Sequence, residues 1–134
     1  MRTAVDSSVL WAILNAEPGW EAWVAVLQTA AAEGELLVCP IVFAEVAPSV
    51  SSADELLSIL HGLGVAYDPL LPGAAFLAGQ TFRKYRDTGG PRDRMIPDFL
   101  VAAHAQHQAD RLAATDRGYL RRYFPKLALL APGD

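Results

Sequence analysis

The sequence predicts an α/β domain with a short, mostly parallel central sheet flanked by helices. Three observations lead there. Short apolar runs recur along the 134 residues, separated by longer segments with helical spacing. Strands that alternate with helices need crossover connections, and so pair in parallel. Proline, glycine and capping residues punctuate the boundaries. Residues 1–134 show no repeat, low-complexity segment or linker, so they read as a single domain long enough for its own core.

Thr3-Ala4-Val5 is the first strand and ends at Asp6. Asp6, Ser7 or Ser8 can cap the helix that follows, with Val9, Leu10, Trp11, Ile13 and Leu14 inward. Pro18 is expected to open a second helix through about Ala32, with Trp20, Trp23, Val24, Leu27 and Ala31 on one face. Leu36-Leu37-Val38-Cys39 is a second strand. Pro40 starts a helix from Ile41 to Ala47, which Pro48 limits and Glu45 interrupts. Ser52-Ala53-Asp54-Glu55 is a capping box, and Gly62 or Gly64 ends the helix it opens. Val65-Ala66-Tyr67 is a third strand. Pro72 to about Asp87 is a helix with Phe76, Leu77 and Phe82 inward and Arg83, Lys84 and Arg86 near its C-terminal end. Gly89 to Arg94 is a loop.

Pro97 then fits the first position of a helix, which puts Asp98 in the first turn, where the helix dipole favours a carboxylate. Phe99, Leu100, Ala102, Ala103 and Ala105 make that helix tightly packable. Leu112-Ala113-Ala114 is a fourth strand with Asp116 just past its end. A helical turn from Gly118 to Tyr123 and a strand at Leu127–Leu130 finish the chain.

Hydrophobic residues make up 52% of the sequence, rich enough that an apolar partner surface is expected. Glu21 and Gln28 interrupt one apolar stretch, and Pro40 and Glu45 the next, so no membrane span is expected. Asp6 falls where a signal peptide would be apolar. With the lone Cys39 in an apolar run, a reducing, cytoplasmic setting follows. Net charge is −4, but residues 1–82 carry one cation and nine acids, and residues 83–134 ten cations and six acids. The halves thus differ in sign, −8 against +4, which points to a localised basic surface.

Asp6 and Asp116 both follow strands at their C-terminal ends, where open parallel sheets bind ligands. Asp98 starts the helix that leads to the Asp116 strand, and Glu45 lies among Val42, Phe43, Ala44 and Val46. Each has an ordinary explanation: Asp6 as a cap, Asp98 as a dipole partner, Asp116 as a turn residue. Glu45 is hardest to explain that way, since a mid-helix acid among apolar neighbours needs a partner. If the four converge they repel, by roughly 4 kcal/mol for two charges ~4 Å apart at an effective dielectric near 20. Cations then hold them together, and all-oxygen ligands suit Mg²⁺ or Mn²⁺ over Zn²⁺. His104 and His107 are spaced for a metal but lack a third ligand nearby and face away from Asp98 at helical pitch. They and His61 are expected to be surface or satisfied residues.

In Val5-Asp6-Ser7-Ser8-Val9-Leu10, Glu45, Ile96-Pro97-Asp98-Phe99-Leu100-Val101-Ala102-Ala103-His104-Ala105 and Asp116-Arg117-Gly118-Tyr119 through Tyr123-Phe124-Pro125, the chain resembles a PIN-domain ribonuclease. It is most similar in kind to VapC-type toxins of toxin–antitoxin pairs. The resemblance covers nearly the whole chain and implies a PIN-like three-layer α/β/α fold. It implies that Asp6, Glu45, Asp98 and Asp116 bind one or two Mg²⁺ or Mn²⁺ ions for hydrolysis of RNA phosphodiesters. It also implies a homodimer and a small VapB-like antitoxin. The family often has Ser or Thr two residues before the last acid, where this chain has Ala114. Thr115 does not replace it, because adjacent strand residues face opposite ways. Arg83, Arg94, Arg117 and Arg121 are candidates for phosphate contacts. A catalytically silent RNA- or protein-binding module is the alternative, and the intact acid set counts against it. A phosphotransfer receiver domain fits less well, since Ser7 and Ser8 follow Asp6 and the late lysine is Lys126 alone.

Overall fold

The computed structural model describes residues 1–89, 95–115 and 118–133. Among them, β1 (Thr3–Val5), β2 (Leu36–Val38), β3 (Val65–Tyr67), β4 (Arg111–Ala113) and β5 (Ala128–Leu130) form one parallel sheet in the order β3-β2-β1-β4-β5. The helices are α1 (Ser7–Leu14), α2 (Trp20–Glu33), α3 (Pro40–Val46), α4 (Ala53–Gly62), α5 (Pro72–Asp87), α6 (Met95–Gln108) and α7 (Tyr119–Tyr123), with a 3-10 turn at Ala47–Ser49. The expected α/β architecture is the observed one. Every residue of β1 and β2 is buried. Successive strand residues point to opposite faces, so burial of all three means that both faces of the sheet are covered by helices.

The register is set by the central strand. Thr3 stands between Leu36 and Arg111, and Ala4 between Leu37 and Leu112. The Arg111 guanidinium donates to Thr3 Oγ1 at 2.9 Å, which satisfies a buried hydroxyl. Gly34 lies so close to Met1 that a Cβ there would collide with the Met1 carbonyl, so β1 begins tight against the end of α2.

Local starts, stops and faces follow the sequence in most elements and differ in several. At α4 the Glu55 amide donates to Ser52 Oγ at 3.0 Å, as a capping box requires. The return arm of Glu55 accepts from the Ser51 amide at 2.9 Å, one residue earlier than the usual partner. Gly64, at φ +77°, follows the helix end. Pro18 does not open α2; Gly19 caps it at φ +91° and the helix starts at Trp20. Ala30 rather than Ala31 is the buried small residue there. Pro97 is the third residue of α6, since the helix begins at Met95. Phe76, expected inward, is 69% exposed.

The buried face of α5 is instead Ala74, Ala78 and Thr81, at i, i+4 and i+7. These small residues face α6, itself lined by Ala102, Ala103 and Ala105, so the two helices approach closely. At the N-terminal half of α6 the filler changes to aromatic rings. Phe99 is fully buried against Phe82, Tyr85, Tyr119, Tyr123 and Phe124. No helix among the described residues is long and apolar enough to cross a membrane.

Candidate active site

The chain leaves β1 for β2 and β3 on one side, then crosses to β4 and β5 on the other. The strand order therefore reverses between β1 and β4. In open parallel sheets, ligands usually bind past the C-terminal ends of the two strands where the order reverses. Asp6 follows β1 directly. Its amide donates to the Ala113 carbonyl at the end of β4, at 3.0 Å, tying the two strand ends together.

Asp6 is 4% exposed and is the N-cap of α1. Ser8 donates to its Oδ2 twice, from the hydroxyl at 2.5 Å and the amide at 3.4 Å. Of the three candidate caps, the aspartate is the one used. A cap is normally a surface feature, whereas this carboxylate is held under the helices at the mouth of the sheet.

Asp98 lies in the first turn of α6 and is half-buried. That helix packs on β1 and on α3, which carries Glu45. Glu45 sits on the exposed side of α3, not buried as its apolar neighbours suggested. Its charge is felt at Cys39: burial chiefly pushes that thiol above its ordinary range, nearby backbone amides pull it back, and the Glu45 carboxylate adds to the rise. α3 follows β2, and β2 lies beside β1, the strand that ends at Asp6. Asp116, Arg94 and Arg117 lie outside the described residues. Ala114 is buried and Thr115 exposed, so the Thr115 hydroxyl faces away from the side that Ala114 covers.

Among the described residues, no three histidine, cysteine, aspartate or glutamate side chains form a ready metal-holding group. Mg²⁺ does not need one. It keeps several waters and takes one or two protein carboxylates together with substrate phosphates. Asp6, Glu45 and Asp98 offer the oxygen ligands that such an ion takes.

The histidines take no part. His104 is buried, and its Nε2 lies 2.8 Å from Asp68 Oδ2. Gln108 donates to the same oxygen and to the Pro69 carbonyl, and accepts from the Leu71 amide. Arg2 reaches Asp68 and the Gln108 carbonyl. This knot fixes the end of α6 to the segment after β3. Sequence spacing gave no sign of it, because the partners it joins lie 36 or more residues apart.

Burial lowers the His104 imidazole below its ordinary value, and outweighs the hydrogen bond and charge of Asp68, which raise it. Arg2 adds to the lowering. The unfolded chain therefore takes up this proton at higher pH than the folded one. The stability is fully present above the ordinary histidine range, ~6.5, and is lost as pH falls through it toward the folded value. Urea unfolding at pH 7.5 and pH 5.5 should show wild type losing stability on acidification, and His104→Asn losing less. Equal losses in the two proteins would contradict it.

A family model described as PIN domain matches residues 3–125. No curated protein matches the sequence. Among solved structures, VapBC2 from Rickettsia felis, bound to a DNA fragment from its promoter, is similar with a TM-score of 0.73 and 18% identity over 98% of both chains. VapBC-1 from nontypeable Haemophilus influenzae gives 0.71 and 14% over 100% of both. FitAcB from Neisseria gonorrhoeae gives 0.66 and 21% over 97% of both. At these identities the likeness is one of fold.

Proposed function

The chain belongs to the PIN-domain family, and from that premise we propose that it is a VapC-type toxin, a Mg²⁺- or Mn²⁺-dependent endoribonuclease. The observation that carries this reading is the buried Asp6 carboxylate at the switch point between β1 and β4. A carboxylate kept there, past the end of β1, stands where open parallel sheets bind their ligands.

In this reading Asp6, Glu45, Asp98 and Asp116 hold the ion. The chemistry supplied by bound Mg²⁺ or Mn²⁺ is a lowered pKa for water and an offset to charge building on the phosphate. The chain's own part is placement. Ser8 holds the Asp6 carboxylate by its Oδ2. Asp98 stands in the first turn of α6, the helix that Phe99 packs against the rings of α5 and α7. One of the acids accepts the proton of the attacking water, whose oxygen bonds to phosphorus as the bond to the leaving ribose oxygen breaks. Arg83, Arg94, Arg117 and Arg121 contact backbone phosphates, positioning the strand without reading its sequence.

The partners in this reading are RNA, a VapB-like antitoxin and a second copy of the chain, in the cytoplasm. Support comes from the fold shared with the VapBC structures and from the apolar side chains left at the surface, Tyr67, Leu71 and Phe76 among them. Expression in bacteria should arrest growth, and Asp6→Ala should relieve the arrest at equal protein level. Arrest undiminished by Asp6→Ala would remove Asp6 from the site. A pure protein that binds RNA yet leaves it uncut at every Mg²⁺ or Mn²⁺ concentration would put the silent binding module in its place.

A further inference from the structure

A cleft of about 220 Å³ opens between α5, α6 and the segment from α7 to Lys126. Its walls are Leu77, Tyr123 and Phe124, and its polar groups are Thr81, Lys84, Gln106 and Lys126. Two features separate it from an ordinary surface hollow. Gln106 Oε1 is buried and has no hydrogen-bond partner among the described residues. Buried polar atoms are nearly always paired, so an orphan one on a residue that lines a cleft marks a donor still to be supplied, once the amide turns toward the opening. Lys84 and Lys126 flank the same cleft, and no described carboxylate pairs with either. The occupant is therefore anionic on its outside and carries an N–H donor on its inside.

The volume narrows the choice. It falls below the ~300–1,000 Å³ of pockets that enclose a drug-sized ligand. A fragment of a polymer fits better, with one flat group inserted and the rest outside. Gln106 follows Asp98 by eight residues, or ~12 Å at 1.5 Å per helical residue. That distance is about three to four nucleotides of a stacked strand at ~3.4 Å each. Gln106 also lies two turns after Phe99, on the same face, and Phe99 packs on the Tyr123 and Phe124 rings that wall the cleft.

We propose that this cleft seats one nucleotide of the RNA strand a few positions from the cut, with Lys84 and Lys126 on phosphates and the Gln106 carbonyl accepting from the base edge. It rests on the ribonuclease reading and adds a seat outside the carboxylate crevice.

The test measures binding without cleavage. A labelled single-stranded oligoribonucleotide is titrated with the full chain in EDTA at several salt concentrations, read by fluorescence anisotropy. Removing both lysines, in Lys84→Ala/Lys126→Ala, should flatten the slope of log affinity against log salt by about 1.4, at ~0.7 per phosphate contact on a single strand. Gln106→Leu should weaken binding about fivefold, the equivalent of one net hydrogen bond, with the slope unchanged. Gln106→Met serves the same purpose should the leucine variant fail to fold. Affinity and slope unchanged in these variants would overturn the seat, as would a wild-type chain that does not bind the strand. Cleavage with Mg²⁺ is assayed separately. Variant-sensitive binding without cleavage supports the seat and fells the nuclease reading; cleavage with variant-insensitive binding does the reverse.

Discussion

Asp98→Asn is expected to cut metal-dependent RNA cleavage by at least ~100-fold, since even groups behind the ligands of a metal site cost 10–100-fold when altered. The substitution keeps shape and removes charge. Asp98 is half-buried in the first turn of α6, so the fold loses the dipole interaction of one acid, ~0.3–1 kcal/mol. A second readout separates a ligand from a mere helix acid. If the four acids converge, they repel without metal, and removing one relieves that strain. In EDTA the variant should then melt no lower than wild type. Added Mg²⁺ should raise the wild-type melting temperature by mass action and leave the variant nearly unmoved. Equal stabilisation of both proteins by Mg²⁺, with cleavage within tenfold of wild type, would take Asp98 out of the site.

The strands were legible because each is a short, mostly apolar run with a turn or cap beside it. Thr3–Val5 ahead of Asp6 and Val65–Tyr67 after Gly64 are cases where punctuation does most of the work. Helix faces were less legible wherever small residues form the interface. Phe76 outranks Ala74 and Ala78 in hydrophobicity, yet α5 turns the alanines inward, because close approach to α6 gains more contact than one ring could add. On α2, Ala30 and Ala31 are the same residue type, so hydrophobicity could not tell which one is covered. Gly19 shows the limit of reading proline alone: Pro18 precedes α2, but the residue with positive φ sets where the helix begins.

For the site, the sequence showed which acids stand at strand and helix ends. It could not show that Asp6 lies at a switch point, because that depends on the crossing from β3 to β4, on the far side of β1. Nor could it show that Glu45 faces outward, since four apolar neighbours on a seven-residue helix do not fix which side is covered.

Phe99→Ala should be the costliest single truncation, about 3–5 kcal/mol by the usual loss for a buried phenylalanine. Phe99 is fully buried, and its ring centroid lies 5.4 to 6.0 Å from those of Phe82, Tyr85, Tyr119, Tyr123 and Phe124. Those rings belong to α5, α7 and the residue after α7, so one side chain joins three helices. Edge-to-face pairs add to the burial, and the cavity left by alanine cannot close while five rings hold one another apart. Against a typical total of ~5–15 kcal/mol, the loss is a large share of stability. Chemical denaturation measures it directly. Phe99→Leu, which retains most of the volume, should cost about 1.5 kcal/mol or less. In the ribonuclease reading it should nevertheless slow cleavage more than that stability loss explains at a temperature where it is fully folded, because the ring cluster anchors the start of α6, where Asp98 stands. A Phe99→Ala cost below about 1 kcal/mol would mean that the aromatic cluster does not anchor α6. Unchanged cleavage in folded Phe99→Leu would mean that the acid is positioned without it.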